Sequence, residues 1–113
     1  MIYRLRSKGK NYCFGNYVDK YGNSRLIPKD QITISALKHW KSEESGNSYP
    51  VKWEIKLPNQ KKRFIINSVL DNQEQSASVP FSFSYWEGQA VVSGSHSGLA
   101  YVEVVRNLSS DED

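Results

Sequence analysis

The chain reads as an all-β domain, an antiparallel barrel or barrel-like sandwich of roughly nine short strands. Three observations predict this. Segments such as Val51 to Leu57 alternate apolar and polar residues, as a half-buried strand does. Gly, Asn, Pro and Asp recur between these segments at the short intervals that hairpin turns need. No stretch carries a convincing helical period. The one ambiguous run is Asp30 to Trp40, where the β-branched Ile32-Thr33-Ile34 favours a strand.

In chain order, Met1 to Arg6 is a strand with Ile2 and Arg4 on one face and Tyr3 and Leu5 on the other. Ser7 to Asn11 is a basic, glycine-containing turn, and Tyr12 to Asp19 is the second strand. Tyr21-Gly22-Asn23-Ser24 makes a hairpin turn, because Gly and Asn tolerate positive φ. Ser24 to Ile27 returns until Pro28 stops it, and Asp30 to Leu37 alternates again, extending toward Lys41. Glu43 to Ser48 is a polar loop. Val51, Trp53, Ile55 and Leu57 then share a face opposite Lys52, Glu54 and Lys56. Pro58 to Lys62 is a turn, and the nearly continuous apolar run Arg63 to Leu70 is expected to be covered on both faces. Asp71 to Gln75 is a polar turn. Phe81 to Trp86, Gln89 to Gly94 and Leu99 to Arg106 complete the strands. These boundaries predict one domain over 1–106 and a solvated acidic tail over 107–113.

Composition narrows the function. The chain has 113 residues, enough for one core, and a formal charge of +3. The basic excess sits at Lys8/Lys10 and Lys61-Lys62-Arg63, too sparse for a strong polyanion footprint. A single cysteine, Cys13, excludes an internal disulfide framework. His39 and His96 lie far apart, and no paired His, Cys or carboxylate spacing suggests a metal site; no cofactor is predicted. No phosphate-cradling glycine loop is present, and Gly94-Ser95-His96-Ser97-Gly98 puts histidine where a nucleophile elbow needs serine. No apolar run reaches transmembrane length and no signal-peptide core follows Met1, so the chain as given reads as soluble, with its compartment open.

Several motifs stand in a familiar order: Ile2-Tyr3-Arg4-Leu5-Arg6, His39-Trp40-Lys41-Ser42, Tyr49-Pro50-Val51-Lys52-Trp53, Leu70-Asp71-Asn72-Gln73-Glu74, Tyr85-Trp86-Glu87-Gly88 and Gly98-Leu99-Ala100-Tyr101-Val102-Glu103. Their order resembles the second half of the carotenoid 1,2-hydratase and AttH-like family, over nearly the whole chain to Val105. The resemblance implies a lipocalin-like β-barrel domain, the second of two in tandem. It also implies that the first domain, and the opening strand of the second, have no counterpart in this sequence. An open sheet edge is therefore expected near Met1–Arg6, pairing with another copy or another chain.

For hydratase members of that family, the reaction implied is addition of water across an isolated alkene. Such chemistry needs a carboxyl kept neutral as general acid, and aromatic faces to shield a cation. Glu87 and Glu103 have the right type and stand beside Trp86 and near Tyr101. Alternation puts Tyr101 with Glu103 and Tyr85 with Glu87, leaving Trp86 opposite unless Gly88 marks a bulge. Trp40, Trp53, Trp86, Tyr85, Tyr101 and Tyr3 are the candidates to line an apolar interior, and each also serves simply as a core anchor.

Two readings of different classes follow. In the first, a lipocalin-like domain binds an apolar small molecule or a partner domain and is not catalytic alone; a hydratase-type enzyme would need a completing domain. In the second, an OB-like module binds single-stranded nucleic acid through Lys8, Lys10, Lys61, Lys62 and Arg63, with Tyr12, Phe14 or Tyr17 stacking on bases. Nine strands exceed the five of an OB barrel, so the first reading ranks higher and nucleic acid is not the expected partner.

Overall fold

Tyr49, Val51, Trp53 and Leu57 all lie buried on one face of a single strand, and the rest of the fold is arranged to cover that face. In the computed structural model, which describes residues 1–7, 9–76 and 84–105, the alternating segments form nine strands. They are β1 (Ile2–Ser7), β2 (Lys10–Val18), β3 (Ser24–Ile27), β4 (Thr33–Lys41), β5 (Ser48–Leu57), β6 (Lys62–Ser68), β7 (Glu74–Gln75), β8 (Tyr85–Gly94) and β9 (Gly98–Val104). All pairings are antiparallel.

The larger sheet runs β4-β5-β6-β8-β9, with β7 on the same edge of β8 as β6. β6 pairs with Ala90–Gly94 and β7 with Tyr85–Trp86, so one edge of β8 is shared by two strands joined through 69–73. Trp53 packs edge-on against Trp86 with ring centroids 6.0 Å apart, and Trp40 stacks on Tyr49 at 6.4 Å. Ile66 and Ala90 complete the buried cluster. The opposite face of β5 is polar: Glu54 accepts from Arg63 Nε at 2.6 Å and lies 3.5 Å from Lys56 Nζ.

The smaller sheet is β1-β2-β3. Its β2–β3 turn is held by Asp19, whose carboxylate accepts from the amides of Tyr21 and Asn23. The link to β4 passes through a 3₁₀ turn at Lys29–Gln31 and crosses the inner face of β2. Gly15 is buried there; a Cβ at that position would stand 3.4 Å from Ile32 Cδ1 and 3.2 Å from Ile2 Cγ1. Lys62 Nζ sits 3.9 Å above the Tyr17 ring, tying the two sheets together.

The all-β expectation holds, and the tryptophans are inward, but the strands do not close into a cylinder. β1 pairs only with β2, and β4 only with β5, so each has an edge that carries no strand among the described residues. Four local expectations are corrected. Asp30 lies within the 3₁₀ turn Lys29–Gln31 instead of opening a strand, because the preceding strand ends at Ile27 and the chain must turn after Pro28 before β4 begins at Thr33. The polar segment 71–75 contains a short strand, β7, because the edge of β8 beyond β6 is open to pairing. Glu87-Gly88 does not break β8: Tyr85 to Gly94 is one strand, with β9 paired along Trp86–Val92. In β6, covered on both faces by expectation, Arg63 and Asn67 are exposed and only Ile66 is fully buried. The early part of the expected strand from Phe81, Lys8 and the acidic tail lie outside the described residues. Among the described residues no helix is long and apolar enough to cross a membrane.

Candidate functional site

The segment 71–74 joins parts of the chain that are remote in sequence. Glu74, on β7, points its carboxylate at the loop between β4 and β5. Oε1 accepts from Ser42 Oγ at 2.6 Å; Oε2 accepts from Ser45 Oγ and from Tyr49 OH, each at 2.6 Å. Tyr49 OH in turn accepts from Asn47 Nδ2 at 3.0 Å, and Ser42 Oγ accepts from the Ser45 amide. Ser42, Asn47 and Tyr49 are buried. Desolvation pushes the Glu74 carboxyl up, but the three hydroxyl hydrogen bonds outweigh it and hold the group below the ordinary carboxylate range. Tyr49 is pushed up by burial and by its bond to Glu74, so its hydroxyl stays a donor.

Neighbouring residues extend the junction. Trp86 Nε1 donates to Asp71 O at 2.8 Å, and Lys38 Nζ meets Asp71 Oδ2 at 3.0 Å. A register shift in β4 flanks Lys38 on both sides. Gln73 lies along β8: its Oε1 accepts from the Gln89 amide, its Nε2 donates to Gln89 O, and its own carbonyl accepts from the Glu87 amide. The Gln73 side chain thereby takes the place of a strand between β6 and β7. Gly88 leaves room for it: a Cβ there would fall 2.0 Å from Gln73 Oε1, so any larger residue must displace the Gln73 side chain. An open depression of about 400 Å³, lined by Trp40, Lys41, Ser42, Glu43, Glu44 and Asn72, adjoins this junction.

Chemically, the junction is a clasp. Glu74 is ionised with three hydroxyls already donating to it. Sequence reasoning picked out these motifs one by one and missed that Ser42, Tyr49, Asp71, Gln73, Glu74 and Trp86 bind one another. The available signal was the presence of a carboxylate, an amide and hydroxyls in motifs flanking apolar strands.

The residues expected to act are distributed over both faces. Trp86 and Trp53 are buried and Trp40 is half-buried, all on the inner face. Glu87 and Glu103 are cross-strand partners on the other face of the β8–β9 hairpin, with Tyr85 and Tyr101 beside them. Glu87 is half-buried and Glu103 exposed, while Tyr101 is 67% exposed. Partial desolvation and the Glu87 carboxylate raise the Tyr101 hydroxyl above its ordinary value. The two carboxyls and the tryptophans are thus on opposite sides of β8. Among the cations considered for nucleic acid, Arg63 is bonded to Glu54 and Lys62 lies on Tyr17; no group of metal-ligating residues occurs among the described residues.

Tyr3 belongs to a different surface. Met1 just ahead of β1, Tyr3 and Leu5 of β1, Tyr12, Phe14 and Val18 of β2, and Leu26 of β3 all face away from the larger sheet. Tyr3 and Phe14 are in ring contact at 5.0 Å. Leu5 is 61% exposed, Tyr12 54% and Leu26 68%. Single exposed apolar residues are ordinary, but a contiguous apolar sheet face marks a surface that meets something.

An antiparallel β domain with one aromatic inner face, an unclosed edge and a clasp at 71–74 is a lipocalin-like domain of incomplete barrel form. The AttH-like family profile matches residues 1–106, and the chain belongs to that family. A crystal structure of a protein from Nitrosomonas europaea assigned to AttH superposes with a TM-score of 0.79 at 23% identity, over 91% of this chain. This chain spans 33% of the length of that protein, and at that identity the likeness is one of fold. No curated protein matches the sequence.

Proposed function

We propose that this chain is a docking domain: a lipocalin-like module that is not catalytic alone and that packs, through the outer face of β1–β3, on another β domain of AttH-like type. The observation that carries this reading is the contiguous apolar face built by Tyr3, Leu5, Tyr12, Phe14 and Leu26. Two further facts support it. The inner face is filled by its own side chains, with Trp86, Tyr49 and Val51 inaccessible to solvent. The related AttH protein has twice as much chain again beyond the matched third. An apolar small molecule, the other partner implied by the fold, would have to displace those side chains or lie on the same outer face. Catalytic use of Glu87 and Glu103 would need a second surface over the exposed Tyr101 to exclude water.

The test mixes this chain with a separately expressed AttH-like β domain and follows association by sedimentation velocity. A stable complex abolished by Leu5→Asp or Tyr12→Asp is expected. No complex, or one indifferent to both substitutions, overturns the proposal. A fluorescent apolar probe taken up equally by wild type and both variants would place a ligand in the interior instead.

A further inference from the structure

The free edge of β1 has a definite chemistry. Met1 and Asn16 exchange both backbone hydrogen bonds, so Tyr3 and Leu5 also bond inward to β2. The N–H and C=O groups of Ile2, Arg4 and Arg6 therefore point away from the sheet, and no strand receives them among the described residues. The side chains of these three residues lie on the inner face, opposite Tyr3 and Leu5.

The Arg4 side chain lines a small cavity of about 110 Å³ with Asn11, Cys13, Lys29, Ile32 and Ile34. Its Nη1 makes only a long contact, 3.5 Å, to Ile34 O. Neither Arg4, Arg6 nor Lys29 forms an ion pair with a carboxylate among the described residues. Burial, and secondarily the adjacent Arg6 charge, push the Arg4 guanidinium down from its ordinary value. The Cys13 thiol on the floor is pushed up by burial and is not a competing anion.

We infer that the β1 edge receives an extended segment of the partner that alternates acidic and apolar residues, with one carboxylate seated between Arg4 and Lys29. This inference rests on the docking reading and names the part of the partner that makes the contact. Strand alternation dictates the pattern. A segment paired to β1 places every second side chain on the inner face, beside Arg4 and Arg6, and the intervening ones on the outer face, where they extend the Tyr3–Leu5 apolar surface. Charge also disfavours a second copy as occupant. Two β1 strands paired antiparallel about a two-fold axis through Arg4 would set Arg4 against its own equivalent, with like charges directly opposed.

The experiment measures backbone amide hydrogen exchange at Ile2, Arg4 and Arg6 in the full chain. The probes are two short capped peptides, one alternating valine with glutamate and the other valine with lysine. The glutamate peptide is expected to slow exchange at these amides roughly tenfold when it is about tenfold above its dissociation constant, and the lysine peptide to leave them unchanged. Arg4→Glu should reverse the preference, with Gly15 exchange unchanged as the control for folding. Equal protection by both peptides overturns the charge inference while leaving the docking reading standing. No protection by either overturns the edge inference, and the docking reading is then decided by the Leu5 and Tyr12 variants alone. Protection that grows with protein concentration in the absence of peptide overturns the inference in favour of a second copy.

Discussion

Replacing Glu74 by Gln probes the clasp with little change of shape. The carboxylate accepts three hydroxyl hydrogen bonds at 2.6 Å, two on Oε2 and one on Oε1. A carbamoyl group has one accepting oxygen. Its best orientation keeps the oxygen toward Ser45 and Tyr49 and turns the nitrogen toward Ser42, whose hydroxyl must reverse its role while it already accepts from the Ser45 amide. Two bonds lose their charge assistance and the third is inverted. Hydrogen bonds to charged groups contribute roughly 1.5–3 kcal/mol and neutral ones about 1 kcal/mol, so the expected loss is about 2 kcal/mol. That is a large share of the ~5–15 kcal/mol by which a domain of this size is stable. Urea unfolding followed by tryptophan fluorescence reads it directly. The pH dependence supplies a second readout. Because the folded carboxyl lies below its unfolded value, its contribution is full above the unfolded pKa and is lost as pH falls through the folded one. The gap between wild type and Glu74→Gln should therefore narrow in acid. A neutral-pH difference below about 0.5 kcal/mol, or a gap that persists in acid, would refute the clasp as an energetic unit.

Other substitutions test neighbouring parts of the same junction. Gly88→Ala should cost about 2 kcal/mol by expelling the Gln73 side chain from its bonds to Gln89, and Gln73→Ala combined with it should cost less than the sum of the single changes. Additive costs in denaturant titrations would show that Gln73 does not cover Gly88. Trp86→Phe removes the indole donor to Asp71 O and part of the packing on Trp53, with an expected loss of about 2–3 kcal/mol. A melting temperature unchanged from wild type would contradict that. Lys38→Ala, at an exposed ion pair with Asp71, should change stability by less than about 1 kcal/mol.

Much of the fold was legible because period-two alternation maps directly onto the two faces of a strand. Val51, Trp53 and Leu57 are inward as that rule requires, and Lys52, Glu54 and Lys56 are on the opposite face. Ser24–Ile27 begins and ends where its flanking turn residues place it. The rule was weakest where pairing, and not local preference, decides conformation. Glu74-Gln75 has the composition of a turn but becomes a strand because β8 has unpaired edge available. Gly88 looks like a break but lies within a continuous strand, because the Gln73 amide occupies the space its missing side chain leaves. Tyr3 alternates like an inward residue and is exposed, since alternation separates two faces without saying which one is covered.

The order of apolar, polar and turn residues, by itself, determined that the chain is antiparallel β and that one aromatic-rich face forms the core, while the open edge at β1 was expected only through the family resemblance. Only the tertiary structure decided that motifs more than twenty residues apart converge on Glu74, and that the aromatic residues divide between a filled interior and an open outer face. The physical reason is that strand patterning is a local property of the backbone. Hydrogen bonds between hydroxyls, carboxylates and amides remote in sequence exist only once the sheet has brought their strands together.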